Sequence, residues 1–106
     1  MNKDLETILS QLSQEFSRIL GDRLEALYLY GSQARGDAQR DSDIDVLAVV
    51  RGEFNYMQLL ELTAPASCTL SLDHDIVISS AFISKKRFDH ENSPFILNVK
   101  REGVTI

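Results

Sequence analysis

The sequence predicts a small α/β (α+β) domain in which helices pack on one side of a mixed β-sheet. Two apolar segments, Leu24–Tyr30 and residues 43–50, are rich in the β-branched and aromatic residues that favour buried strands. Before them, apolar residues recur every three or four positions from Leu5 to Leu20, which indicates an amphipathic helix that ends at Gly21. An early helix followed by two strands is typical of a layered α/β fold.

The second half of the chain predicts elements of both kinds. Residues 54–63 have helical spacing, and Pro65 predicts that this helix ends before it. Residues 70–83 are interpreted as a third strand, straight or bent. Two short helices follow, over residues 85–88 and from Pro94 to near Gly103, and the last three residues form either an edge strand or a frayed end.

Length and composition narrow the function classes. The chain has 106 residues, which predicts one domain (residues 1–106) around a single core. Its net charge of −5 argues against nucleic-acid binding, because affinity for phosphate backbones depends on Lys and Arg. One cysteine, Cys68, excludes an internal disulfide. No segment approaches the roughly eighteen consecutive apolar residues of a membrane span, so we expect a soluble, cytoplasmic protein.

The most informative segment lies between the first two predicted strands. It begins with Gly31-Ser32-Gln33-Ala34-Arg35-Gly36 and ends with Asp43-Ile44-Asp45. In a strand, side chains at i and i+2 share a face, so Asp43 and Asp45 would present their carboxylates together, where a hard divalent cation could neutralise them. Glycine allows a close approach of backbone to phosphate. The segment therefore predicts a phosphate loop beside a metal site, and a polar turn leading into a strand is the alternative.

Gly31-Ser32, ten intervening residues and Asp43-Ile44-Asp45 together resemble the signature of the DNA-polymerase-beta nucleotidyltransferase superfamily. The chain is most similar in outline to the minimal nucleotidyltransferases, short domains commonly paired with HEPN-domain toxins in toxin–antitoxin systems. The resemblance extends over the leading helix, residues 75–79 and residues 93–103. It implies the nucleotidyltransferase fold.

The resemblance also implies roles for individual residues. Gly31 and Ser32 would bind the triphosphate of ATP, and Arg35 could reach the same phosphates, although a solvated loop arginine is the alternative. Asp43 and Asp45 would be catalytic and would hold one or two Mg²⁺ ions.

The superfamily usually supplies a third catalytic and metal-binding carboxylate from a neighbouring strand. Asp75, at the start of an apolar run, is our candidate. Asp73 is its rival, because residues two apart in a strand share a face.

The resemblance implies transfer of AMP from ATP to a hydroxyl, with release of pyrophosphate. The acceptor would be a tyrosine of a partner HEPN-domain toxin, so the chain would act as its antitoxin. Two alternatives stay open: an antitoxin that neutralises its partner by binding alone, and an enzyme that modifies small molecules such as aminoglycosides. The oligomeric state is also left open.

Overall fold

The computed structural model describes residues 3–36 and 43–106. Its helices and strands alternate along the chain, except that two successive helices precede the last strand, and a 3₁₀ turn joins the first helix to the first strand. The elements are α1 (Lys3–Leu20), β1 (Leu24–Tyr30), α2 (Ser32–Arg35), β2 (Ile44–Val50), α3 (Tyr56–His74), β3 (Ile78–Ser84), α4 (Lys85–His90), α5 (Pro94–Glu102) and β4 (Val104–Thr105). In these described ranges, no helix is both long and apolar enough to cross a bilayer.

The four strands form one mixed sheet in the order β3-β2-β1-β4. β1 is antiparallel to both β2 and β4, whereas β2 and β3 are parallel. A parallel pair needs a crossover, and α3 supplies it between β2 and β3. The predicted α/β class with a mixed sheet is confirmed, and β4 is an edge strand rather than a frayed end.

Helices cover both faces of the sheet, which corrects the predicted one-sided arrangement. On one face, Val46 and Ala48 of β2 pack into the main core with α1 and α3. On the other, Leu47 and Val49 pack with Phe88, Ile96 and Val99, which lie in α4 and α5. Because β2 is apolar on both faces, helices on one side could not bury it.

The third helix is longer than predicted. α3 continues through Pro65 to His74, so residues 70–74 are helical and not part of a strand. Pro65 removes only the hydrogen bond to the Glu61 carbonyl, and both residues are exposed, so water can satisfy that carbonyl. The helix ends at Asp75, whose backbone is left-handed and whose N–H donates to the Ser71 carbonyl.

Candidate active site

Gly31 sits at the turn between β1 and α2, and it lies directly against Asp45. Its backbone (φ 78°, ψ −158°) falls in a region that is essentially restricted to glycine. A Cβ atom at this position would lie 2.8 Å from Oδ2 of Asp45. The structure thus brings the first residue of the predicted phosphate loop into contact with the second predicted metal ligand.

Ser32 and Arg35 lie at the two ends of α2, a single helical turn. The carbonyl of Gly31 accepts hydrogen bonds from the amides of Ala34 and Arg35, each at 3.1 Å, and left-handed Gly36 ends the turn. Ser32 is half-buried beside Gly31. The backbone of this turn therefore fixes the points from which the Ser32 and Arg35 side chains extend, relative to the aspartates.

Arg35 also contacts the last helix. Its Nη1 lies 3.8 Å from a carboxylate oxygen of Glu102, at the end of α5. Both residues line a cleft of about 130 Å³ together with Tyr30, Gly31, Phe95, Asn98 and Val99. Arg35 is thus part of a cleft wall beside Gly31, and its contact with phosphate stays a prediction.

Asp43 and Asp45 point away from the main core. Ile44 and Val46, the alternate residues of the same strand, are buried in that core, so the two carboxylates emerge on the opposite face. Asp45 is half-buried, while every other residue of β2 is buried. Burial and, secondly, the charge of Asp43 raise the pKa of Asp45. The pair is therefore electrostatically uncompensated within the described part of the chain.

A divalent cation fits this donor set. Mg²⁺ is usually held by one or two protein carboxylates together with substrate phosphates and water. Within residues 3–36 and 43–106, no group of three or more His, Cys, Asp or Glu side chains is arranged to hold a metal. Asp43 and Asp45 would hold the ion with ligands from the nucleotide, since no third carboxylate of the described residues joins them.

Asp75 lies at the end of α3, before β3 begins. It is exposed, and its φ of 51° is left-handed, a conformation that Asp tolerates better than most residues. Asp73 is the last residue but one of α3, and it lines a groove between α3 and α1 on the opposite side of the sheet. Asp73 would share a face with Asp75 only if both lay in one strand. Asp73 lies in α3 instead, so the reason for considering it no longer holds. Asp75 stays our prediction for the third carboxylate.

Sequence reasoning did not assign three residues that border the carboxylates. Tyr30 pairs with Asp45 across β1 and β2, and its pKa is raised by burial, by the charge of Asp45 and by Tyr56. On the other side, Ser79 of β3 pairs with Asp45, and the carbonyl of Val77 accepts the amide of Ile44 at 2.9 Å. The parallel register that brings Val77 and Ser79 here leaves no local sequence signal; only their alternation with Ile76 and Ile78 could have suggested the shared face.

Known proteins resemble the chain over most of its length. The "Putative protein adenylyltransferase MJ0141" of Methanocaldococcus jannaschii is 34% identical over 99 residues, which cover 93% of this chain and 95% of that protein. "Protein adenylyltransferase MntA" of Thermococcus cleftensis is 29% identical over 82 residues, which cover 77% of this chain and 81% of the relative.

A solved structure shares the fold. The crystal structure of a toxin–antitoxin with AMP-PNP superposes with a TM-score of 0.64 at 19% identity, covering 91% of this chain and 69% of that one. The family model described as "Polymerase beta, Nucleotidyltransferase" matches residues 7–104. The prediction of a nucleotidyltransferase is thereby confirmed, and the chain belongs to the polymerase beta nucleotidyltransferase family.

Proposed function

We propose that this chain transfers AMP from ATP to a tyrosine hydroxyl of a partner HEPN-domain toxin, and so acts as its antitoxin. The observation that carries the proposal is the contact between Gly31 and Asp45, beside Asp43. It places a glycine turn suited to phosphate against a carboxylate pair suited to a divalent cation.

The residues divide into two binding roles. Gly31, Ser32 and Arg35 bind the triphosphate, with the Arg35 guanidinium as a charge-assisted donor. Asp43 and Asp45 hold one or two Mg²⁺ ions. When bound, Mg²⁺ neutralises charge on the triphosphate and favours in-line displacement at phosphorus.

The transfer balances as a simple displacement. A bond forms between the acceptor oxygen and the α-phosphorus of ATP, and the bond from that phosphorus to the β-phosphate oxygen breaks, releasing pyrophosphate. The hydroxyl proton passes to a carboxylate acting as general base, a role we assign to Asp75. Asp75 is exposed, so an incoming acceptor hydroxyl can reach its carboxylate.

A protein acceptor is favoured over a small molecule. The cleft that the described residues form beside Gly31 has a volume of about 130 Å³, less than the roughly 300–1,000 Å³ of sites that bury one small ligand. ATP alone would therefore more than fill it, and no room is left there for a second small molecule. A protein brings its own docking surface and needs no such pocket. The names of the two curated relatives, which describe protein adenylyltransferases, support the same choice. The AMP-PNP complex of the structural neighbour supports ATP as the nucleotide.

Labelled ATP tests the proposal directly. The wild-type chain is incubated with labelled ATP, Mg²⁺ and the product of the neighbouring gene, and label on protein is measured. The double variant Asp43→Asn/Asp45→Asn should transfer none. Asp73→Asn, which removes an exposed carboxylate on the opposite side of the sheet, is the matched control and should transfer label normally.

The outcomes separate the alternatives. Label that appears on a tyrosine of the partner and disappears in the double variant supports the transferase. A partner that is neutralised equally by the wild type and by the double variant, without label, would establish an antitoxin that acts by binding alone. Label found only on small molecules would instead favour a small-molecule nucleotidyltransferase.

A further inference from the structure

The sheet face that carries Asp43 and Asp45 is only partly covered by helices. Further along the strands, Leu47, Val49 and Ile83 are buried beneath Phe88, Ile96 and Val99 of α4 and α5. At the start of the strands, Asp43, Val77 and Ser79 are exposed. Within the described part of the chain, this end of the sheet is therefore a bare strip beside the carboxylates.

Val77 is the apolar part of this strip. Ile76 and Ile78 pack against the main core, so Val77 between them points to the opposite face, which is the face of Asp43 and Asp45. The ladder continues from the pairing of Ile44 with Ile78, which puts Val77 beside Asp43. Its side chain is 58% exposed. The apolar surface of Val77, beside the two carboxylates, is therefore left uncovered by the described residues.

The order of the strands indicates the side from which the acceptor hydroxyl approaches the carboxylates. The phosphate loop follows β1, on one side of β2. On the other side, Val77 directly precedes β3 and Ser79 lies in it. In phosphoryl and nucleotidyl transfer, the attacking and leaving oxygens are roughly in line through the phosphorus. If pyrophosphate leaves over the loop on the β1 side, the acceptor hydroxyl must arrive from the β3 side, over Val77.

We propose that Val77 is a specificity-determining residue for the acceptor, and this inference rests on the proposed function. Its isopropyl group packs against the ring of the incoming tyrosine while the phenolic oxygen reaches the α-phosphorus above Asp43 and Asp45. Ser79 borders the same approach beside Asp45. A serine or threonine acceptor has too short a side chain to cover Val77, so this contact favours an aromatic hydroxyl.

Steady-state kinetics with the protein acceptor labelled by the wild-type chain test this role. Val77→Thr keeps the branched shape but replaces a methyl group by a hydroxyl, so the KM for the acceptor should rise about fourfold, the value of one buried methyl group. The KM for ATP should not change. Val77→Ile, which keeps an apolar side chain, should have a KM for the acceptor close to that of the wild type.

The matched control is Met57→Gln, which removes another exposed apolar side chain, 61% exposed, in the first turn of α3. It should leave both KM values unchanged. An unchanged KM for the acceptor in Val77→Thr would overturn the inference, as would an equal rise in the KM for ATP. A wild type that transfers no label to any protein would instead overturn the proposed function, and this inference with it.

Discussion

The two faces of the sheet differ in how completely helices cover them. The face under α1 and α3 holds most of the largest fully buried side chains, among them Phe16, Leu12 and Leu59. The face under α4 and α5 is buried at one end only, and its bare end carries Asp43 and Asp45. Stability is therefore concentrated on the face under α1 and α3, so the other face can keep two like charges side by side.

Phe16→Ala gives the largest expected effect, because it attacks the covered face. Phe16 is fully buried, so the lost contacts and the cavity should lower the free energy of unfolding by about 3–5 kcal/mol. Phe95→Ala is the matched variant on the other face, where the ring is 43% exposed and packs edge-on against Tyr30. It should cost clearly less. Urea denaturation measures both, and equal costs would contradict the comparison.

Gly31→Ala should have the next largest effect, at the bare end of the second face. Both the positive φ and the contact with Asp45 oppose a Cβ atom, and we expect a loss of about 1–3 kcal/mol together with loss of AMP transfer. Gly52→Ala is the control, since its φ is also positive but a Cβ there meets nothing within 4 Å. Urea denaturation should show a smaller loss for Gly52→Ala. If the two variants cost the same, the Asp45 contact contributes nothing.

The raised pKa of Asp45 predicts that the stability of the fold depends on pH and on Mg²⁺. The covered face predicts no such dependence. Because its pKa is raised in the folded chain, the folded state binds more protons than the unfolded state above the ordinary value of 3.8. Without Mg²⁺, the contribution of Asp45 to stability is therefore lost as pH rises through the raised pKa. Thermal unfolding should show Asp45→Asn gaining stability relative to the wild type over this range.

Adding Mg²⁺ at neutral pH completes this test. The ion should raise the Tm of the wild type, because it binds the folded carboxylate pair, and should raise it less in Asp45→Asn. Asp73→Asn should respond like the wild type. A Mg²⁺ effect of the same size in Asp45→Asn would show that the ion binds elsewhere.

Local sequence patterns predicted the strands that position the carboxylate pair. They failed where contacts between distant segments of the chain determine the structure. Enrichment in β-branched and aromatic residues identified β1 and β2. The two-residue repeat of side chains in a strand placed Asp43 and Asp45 on one face. Pro65 led to a wrong prediction of the end of α3, because the exposed side of a helix tolerates the loss of one hydrogen bond. The register of β3 on β2, which puts Val77 and Ser79 beside the aspartates, depends on how α3 crosses over the sheet and has no local signature.

The smallest expected change in stability concerns Asp75, the residue that this long helix displaced from the predicted strand. Asp75→Gly should raise the free energy of unfolding by about 0.5 kcal/mol, because glycine ends a helix in the left-handed conformation with less strain. Asp75→Asn, which tolerates the same conformation, should leave stability nearly unchanged. If Asp75 is the general base, both variants should lose AMP transfer by about 100-fold or more, although one is stabilised and the other is not. Activity retained in both would remove Asp75 as the third carboxylate while leaving the roles of Asp43 and Asp45 intact.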